Sequence, residues 1–177
     1  MAIQLTERIV YLAGEVNEQS IAHVTATIIA LANMDKVSPI KLIISTYGGS
    51  VDEMFSLYDI IKYIPCPVHT IALGKVMSAG VLLVAAGQKG NRLIGRSTRL
   101  MIHPMTAGQE GTVFQMKNEL SEFARMQTLM EELLVSNTKM TKVQVASLMK
   151  KGHDTFLTAK EAVKLGIVDA IFETREK

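Results

Sequence analysis

A serine stands at the junction between an apolar run, Val68 to Leu73, and a run of small and apolar residues, Ala79-Gly80-Val81-Leu82-Leu83-Val84-Ala85-Ala86. If the first run is a strand and the second a helix, Ser78 sits at a helix N-terminus. Backbone N–H groups lack partners there, and the macrodipole is positive. An attacking serine needs that setting, because the oxyanion of a tetrahedral intermediate must be met by donors already in place. His103, closing Leu100-Met101-Ile102-His103-Pro104, and Asp154, in Gly152-His153-Asp154-Thr155-Phe156, complete a candidate Ser-His-Asp triad. In such a triad the histidine takes the serine proton and the carboxylate fixes its tautomer. The Gly48-Gly49 turn follows the preceding expected strand, so its N–H groups can join that of Ala79 in an oxyanion hole at the strand ends. The set points to a serine peptidase.

Each of these residues also has a plainer reading. A small residue between strand and helix is often only a cap, a Gly-Gly pair only a turn, and Asp154 only a turn residue. The segment around Ser78 is not the Gly-x-Ser-x-Gly elbow, so that template does not transfer. Among four histidines, His23 falls in an expected helix and His69 inside an expected strand. His153 competes with His103 because it adjoins Asp154. Lys75 would permit a Ser–Lys dyad, but at the end of the incoming strand it is expected to face elsewhere. The histidines and carboxylates show no metal-ligand spacing, and no phosphate-binding glycine loop occurs. Cys66, between Pro65 and Pro67, reads as a small hydrophobe.

The elements that must position these residues follow from pattern. Arg8 to Gly14 reads as a strand, and Asn17 as the cap of a helix through about Met34 with Ile21, Val24, Ile28, Ile29 and Leu31 at helical spacing. Ile40 to Ser45 reads as a buried strand ended by a tight turn, Thr46-Tyr47-Gly48-Gly49. Ser50 and Glu53 have the spacing of a capping box for a helix to about Ile64, stopped by Pro65. After the Ser78 helix come short strands around Arg92–Ile94 and Thr98–Ile102. Alternation of strand, turn and helix predicts an α/β fold with mostly parallel pairing. From Gly111 to about Asn137 the chain reads as one long helix. Its narrow seam of Val113, Met116, Leu120, Phe123, Met126, Met130 and Leu133 is suited to packing against another helix. Two further capping boxes, Thr141 with Gln144 and Thr158 with Glu161, precede a last strand over Gly166–Phe172.

Bulk properties bound the function. The 177 residues are 48% hydrophobic and 20% charged, with a mean hydropathy of +0.22. No apolar run reaches the roughly 18–20 residues of a membrane span, and the N-terminus lacks the layout of a signal peptide. The apolar excess is therefore expected at subunit interfaces. A net charge of +2 gives no electrostatic case for nucleic acid or for an anionic membrane. A single cysteine excludes an internal disulfide. These features predict a cytoplasmic, oligomer-forming domain.

Five segments, in order, resemble the ClpP family, the proteolytic subunits of Clp ATP-dependent proteases. They are Glu7–Val16, Ser45–Val51, Gly74–Gly80, Met101–His103, and Asp154–Ala159 continuing through Glu161-Ala162 and Gly166–Asp169. The resemblance implies Ser78 as nucleophile, His103 as base, Asp154 as its orienter, and the N–H groups of Gly49 and Ala79 as the oxyanion hole. It implies a ClpP/crotonase-like spiral of β-β-α units with a long protruding handle helix. That is a single domain over 1–177, with a head of about 1–102 and 139–177 and a handle of about 103–138. It also implies heptameric rings, a tetradecamer or rings mixed with a homologue, fed with unfolded polypeptide by a AAA+ unfoldase. No cofactor is implied, ATP being used only by that partner. The chain differs from the family pattern at Tyr47, at His103-Pro104-Met105 and at Gly152-His153. It begins almost at the first strand, so the N-terminal axial hairpin is expected to be absent. Two other readings stand beside a full peptidase. One is an accessory, weakly active ring subunit, distinguished by labelling of Ser78. The other is a crotonase-type acyl-CoA enzyme, distinguished by thioester binding.

Overall fold

The computed structural model describes residues 7–172 except 107, 109 and 151. Strand β1 (Ile9–Val16) leads into helix α1 (Glu18–Met34). Asn17 caps α1 as its spacing predicts: its side chain accepts from the Ser20 N–H, and the Ser20 hydroxyl returns the bond to Asn17. The α1 stripe Ile21, Val24, Ile28 and Leu31 is buried. Then follow β2 (Ile40–Gly49), α2 (Val51–Tyr63), β3 (Val68–Met77) and α3 (Ala79–Ala85). Helices α1 and α3 pack on one face of the sheet and α2 packs against both of them; Val10, Leu12, Leu42, Ile44, Ala72 and Val76 are buried in this core. Every residue of α3 is buried. Gly80 lets this helix sit close on β2, since a Cβ there would lie 2.6 Å from the Thr46 side chain.

The remaining elements are β4 (Arg92–Ile94), β5 (Arg99–Ile102), α4 (Val113–Asn137), α5 (Lys142–Lys150), β6 (Thr155–Leu157), α6 (Ala159–Lys164) and β7 (Ala170–Ile171). Six helices and one seven-stranded sheet thus occur among the described residues. The sheet runs β1-β2-β3-β4-β7, with β5 branching from β3 and β6 pairing β5. All pairs are parallel except β5–β6. The branch arises on β3. Ile44 pairs Ala72 and Thr46 pairs Val76, so two steps on β2 match four on β3. Before this bulge β3 pairs β4; after it, Lys75, Val76 and Met77 pair Arg99, Leu100 and Met101. Gly74, at φ +65°, supplies the bend.

Several sequence expectations need correction. Gly48-Gly49 is not a tight turn but the end of β2, still paired to Glu15 and Val16. Likewise β3 does not stop at Leu73 but runs through the bulge to Met77. In both places glycine carries the sequence signature of a terminus, whereas its positive φ keeps an irregular strand going. Ser50 does accept from the Glu53 N–H, yet its own N–H goes to the Val16 carbonyl, so the reciprocal half of the box is missing. The last strand is only Ala170–Ile171. Helix α4 opens with a Thr112–Gln115 capping box that the sequence reading did not single out. Of the expected seam only Met126 and Met130 are buried; Leu134 and Asn137, not Leu133, continue the buried stripe, whereas residues 113–122 are all exposed.

The C-terminal ends of α3 and α4 meet at Arg92, which is 3% exposed. Its Nη1 donates to the carbonyls of Ala85 (3.2 Å) and Asn137 (2.6 Å), satisfying groups that a helix leaves open. Its Nη2 and Nε reach the two carboxylate oxygens of Asp169 at 2.6 and 3.0 Å. Lys62 adds bonds to Ala86 and to the Asn137 side chain, at 2.7 and 2.8 Å. Burial lowers the Lys62 pKa, with Arg92 and Lys89 nearby pushing the same way.

Candidate active site

Two neighbouring parallel strands bring Ser78 and His103 together. Strand β3 ends at Met77 and β5 at Ile102, and the register Met77↔Met101 sets the two exits side by side. The Ser78 N–H donates to the Met101 carbonyl at 2.8 Å, which fixes the serine backbone against β5. His103 follows β5 directly, and its Nε2 lies 2.8 Å from the Ser78 Oγ. With Nδ1 protonated, the serine hydroxyl donates to Nε2, the arrangement a general base requires. Both residues stand at the carboxyl ends of parallel strands, where α/β sheets place their chemistry.

The turn that presents Ser78 is strained. Its φ is 52° and ψ −123°, a conformation that non-glycine residues rarely take and that costs on the order of 1–3 kcal/mol. The side chain makes no capping bond to its own helix, so the hydroxyl points away toward His103. Two glycines come close by. A Cβ on Gly48 (φ +102°) would lie 2.7 Å from the Ser78 Cβ, and one on Gly49 (φ +149°) would lie inside contact distance of the Val16 carbonyl. Ala79, buried at the first position of α3, carries one of the amides that a helix cannot pair internally.

Asp154 is not joined to this pair. It is exposed, in the coil just before β6, and among the described residues no side chain other than Ser78 hydrogen-bonds the His103 ring. Strand pairing places it nearby in register only: Ile102 pairs Thr155 antiparallel, so the next rung would set His103 opposite Asp154. His153 sets its Nδ1 3.2 Å from the Asp154 carbonyl, and His103 is the histidine bonded to Ser78. Lys75 lies 3.4 Å from the Ser45 hydroxyl and over the Tyr47 ring, which removes the Ser–Lys dyad. Among the described residues no cluster of three metal-ligating side chains forms.

A mostly apolar pocket opens beside Ser78 and His103. Gly49, Val51, Val81, Leu82, Met105, Met130, Leu134 and Met149 are among its lining residues. Sequence reading set Gly48 in the oxyanion-hole turn, named Met105 only as a departure from the family pattern and Met130 only as part of a helical seam, and missed Met149. The doubled glycine was a usable signal for Gly48. Nothing local marks a methionine as a pocket wall.

Over residues 1–175 the chain matches the family described as Clp protease. The ATP-dependent Clp protease proteolytic subunit 1 of Corynebacterium glutamicum is 36% identical over 171 residues, covering 96% of this chain and 81% of that one. The protein of the same name from Corynebacterium diphtheriae shows the same identity and coverage. The ATP-dependent Clp protease proteolytic subunit 2 of Corynebacterium jeikeium is 35% identical over the same shares of both chains.

Proposed function

The chain belongs to the Clp protease family, and on that premise we propose that it is a serine endopeptidase, the proteolytic subunit of an ATP-dependent Clp-type protease. The observation that carries this is the 2.8 Å approach of the Ser78 Oγ to the His103 Nε2 at a strained strand–helix junction. In the proposed reaction Ser78 Oγ attacks the scissile carbonyl as His103 takes its proton. The oxyanion is received by the N–H groups of Gly49 and Ala79. His103 returns the proton to the departing amine, and water, activated by the same imidazole, releases the acyl group from Ser78. Asp154 is assigned as orienter of His103. Its support is the β5–β6 register, which one more rung would extend to bring the carboxylate across from the ring. The apolar lining beside Ser78 suits an apolar side chain of an extended polypeptide.

We further assign the family assembly to this chain: rings of seven, stacked in pairs, built from spiral β-β-α heads with α4 as the handle between rings. Support comes from the first turns of α4, where Val113, Phe114 and Leu120 lie bare to solvent, Phe114 at 80%, at a cost that a partner surface would remove. Unfolded substrate is delivered by a AAA+ unfoldase, which consumes the ATP; the hydrolytic steps draw on no metal or organic cofactor. We place the assembly in the cytoplasm. No helix among the described residues is long and apolar enough to cross a membrane.

The exposed, unattached Asp154 favours a second reading, an accessory ring subunit of low activity. Treating the assembled protein with a fluorophosphonate, alongside turnover of a fluorogenic peptide, tests both. An adduct on Ser78 with peptide turnover, both lost in Ser78→Ala, supports the peptidase. An adduct without turnover favours the accessory subunit, and absence of both sinks the peptidase reading.

A further inference from the structure

The segment that leaves β5 is tied to α4 by one side chain. Strand β5 ends at Ile102, and Pro104 carries no N–H, so the Met105 N–H is the first backbone donor after His103. Half-buried backbone donors need an acceptor. Here it is Gln127 of α4, whose Oε1 lies 2.9 Å from the Met105 nitrogen. The other end of that amide donates to Glu131 Oε1 at 2.8 Å, one helical turn on. This second bond settles which end of the amide faces Met105.

Resting on the peptidase reading above, we propose that Gln127 is a positioning residue that sets selectivity for the side chain preceding the cut bond. Gln127, Met130 and Leu134 follow at spacings of three and four, so they share one stripe of α4. Met130 and Leu134 form one wall of the pocket beside Ser78, and Met105 forms part of another. The same helix stripe therefore supplies one wall and holds the other at its backbone. Three of the lining residues, Met105, Met130 and Met149, carry flexible thioether side chains that reshape readily. Such walls discriminate among substrates only if the backbone behind them stays put. Gln127 provides that fixed point for Met105. His103, already bonded to Ser78, does not depend on it.

The test compares Gln127→Met, which keeps the length but removes the acceptor, with the exchanged pair Gln127→Glu plus Glu131→Gln, which restores both bonds. Hydrogen exchange at the Met105 amide reads the tether without any need for activity. Gln127→Met should lose protection there, and the exchanged pair should recover it. In peptide cleavage, the preference in kcat/KM for leucine over alanine before the cut should fall about tenfold in Gln127→Met, the order of discrimination a shaped apolar pocket supplies. Fluorophosphonate labelling of Ser78 should stay at the unsubstituted rate. Unchanged protection at Met105, or lost protection with unchanged preference, would overturn the proposal. So would labelling that falls in parallel with cleavage, which marks a general scaffold role. If the unsubstituted assembly neither labels nor cleaves, the peptidase reading has failed and the selectivity role falls with it; the exchange result then still reports whether the tether exists.

Discussion

Gly48 leaves no room for a side chain next to Ser78. A Cβ on it would stand 2.7 Å from the Ser78 Cβ, 3.0 Å from the Met77 carbonyl oxygen and 3.2 Å from the Ser78 Oγ. Two of the three atoms are part of the serine that meets His103. Gly48→Ala therefore has to move Ser78 or β2, and φ +102° adds strain of its own. Peptide cleavage should drop by about 10²-fold, the scale of a misplacement near 1 Å. Thermal unfolding should show the assembled fold still present. Near-normal kcat/KM in Gly48→Ala would mean that the close approach is unimportant.

Ser78 holds a conformation better suited to glycine. Ser78→Ala and Ser78→Gly should both abolish peptide turnover, by about 10⁴-fold or more, and both should lose the phosphonate adduct. Their stabilities should differ. Ser78→Gly relieves the positive φ and should unfold at a higher temperature than Ser78→Ala, by an amount equivalent to about 1 kcal/mol. Equal melting temperatures would indicate that the turn carries no strain.

Asp154 gives a sharper division between the two functional readings. If it orients His103 in the working assembly, Asp154→Asn should lower kcat by about 10²–10⁴-fold while peptide KM changes little. A loss of less than about threefold would show that the imidazole works without the carboxylate, as its separation from His103 here would have it.

The contact between Arg92 and Asp169 predicts a pH dependence of stability. Burial pushes the Asp169 carboxyl upward, but hydrogen bonds from the Arg92 side chain and backbone, its charge, and the Gly90 N–H outweigh this and hold the pKa below its ordinary value. The unfolded chain, near 3.9, thus takes up the proton first as pH falls. The contribution is complete above about pH 5 and disappears as pH drops through the depressed folded value. Asp169→Asn should flatten that acid limb in chemical unfolding. At neutral pH it should cost about 3–5 kcal/mol, because Arg92 stays buried without its counter-charge. An acid limb as steep as that of the unsubstituted protein would assign the pH dependence to other carboxylates.

What the sequence made legible was local. The Asn17, Thr141 and Thr158 caps depend on residues three apart, and each forms. Ser78 and His103 both follow expected strands, and it is the pairing of Lys75–Met77 with Arg99–Met101 beyond the Gly74 bulge that brings them together. Irregular strands were harder. Gly48, Gly49 and Gly74 carry the same signal as turn residues, and only pairing with distant strands decides otherwise. The amphipathic seam of α4 predicted a helix correctly but said nothing of where along it burial begins. Gln127 was invisible for a related reason: a helical glutamine next to Thr128 and one turn from Glu131 looks like any solvent-facing residue until the chain after His103 folds back on it.

The branching of the sheet at Gly74 also limits how the chain can change in length. One strand is held by β2 on one side and by β4 and then β5 on the other. An insertion or deletion between Ala72 and Val76 has no loop to absorb it. It would either slide Met77 against Met101 and carry the serine out of reach of the imidazole, or break the ladder to β4 behind it. These few residues act as a gauge block between the two halves of the sheet.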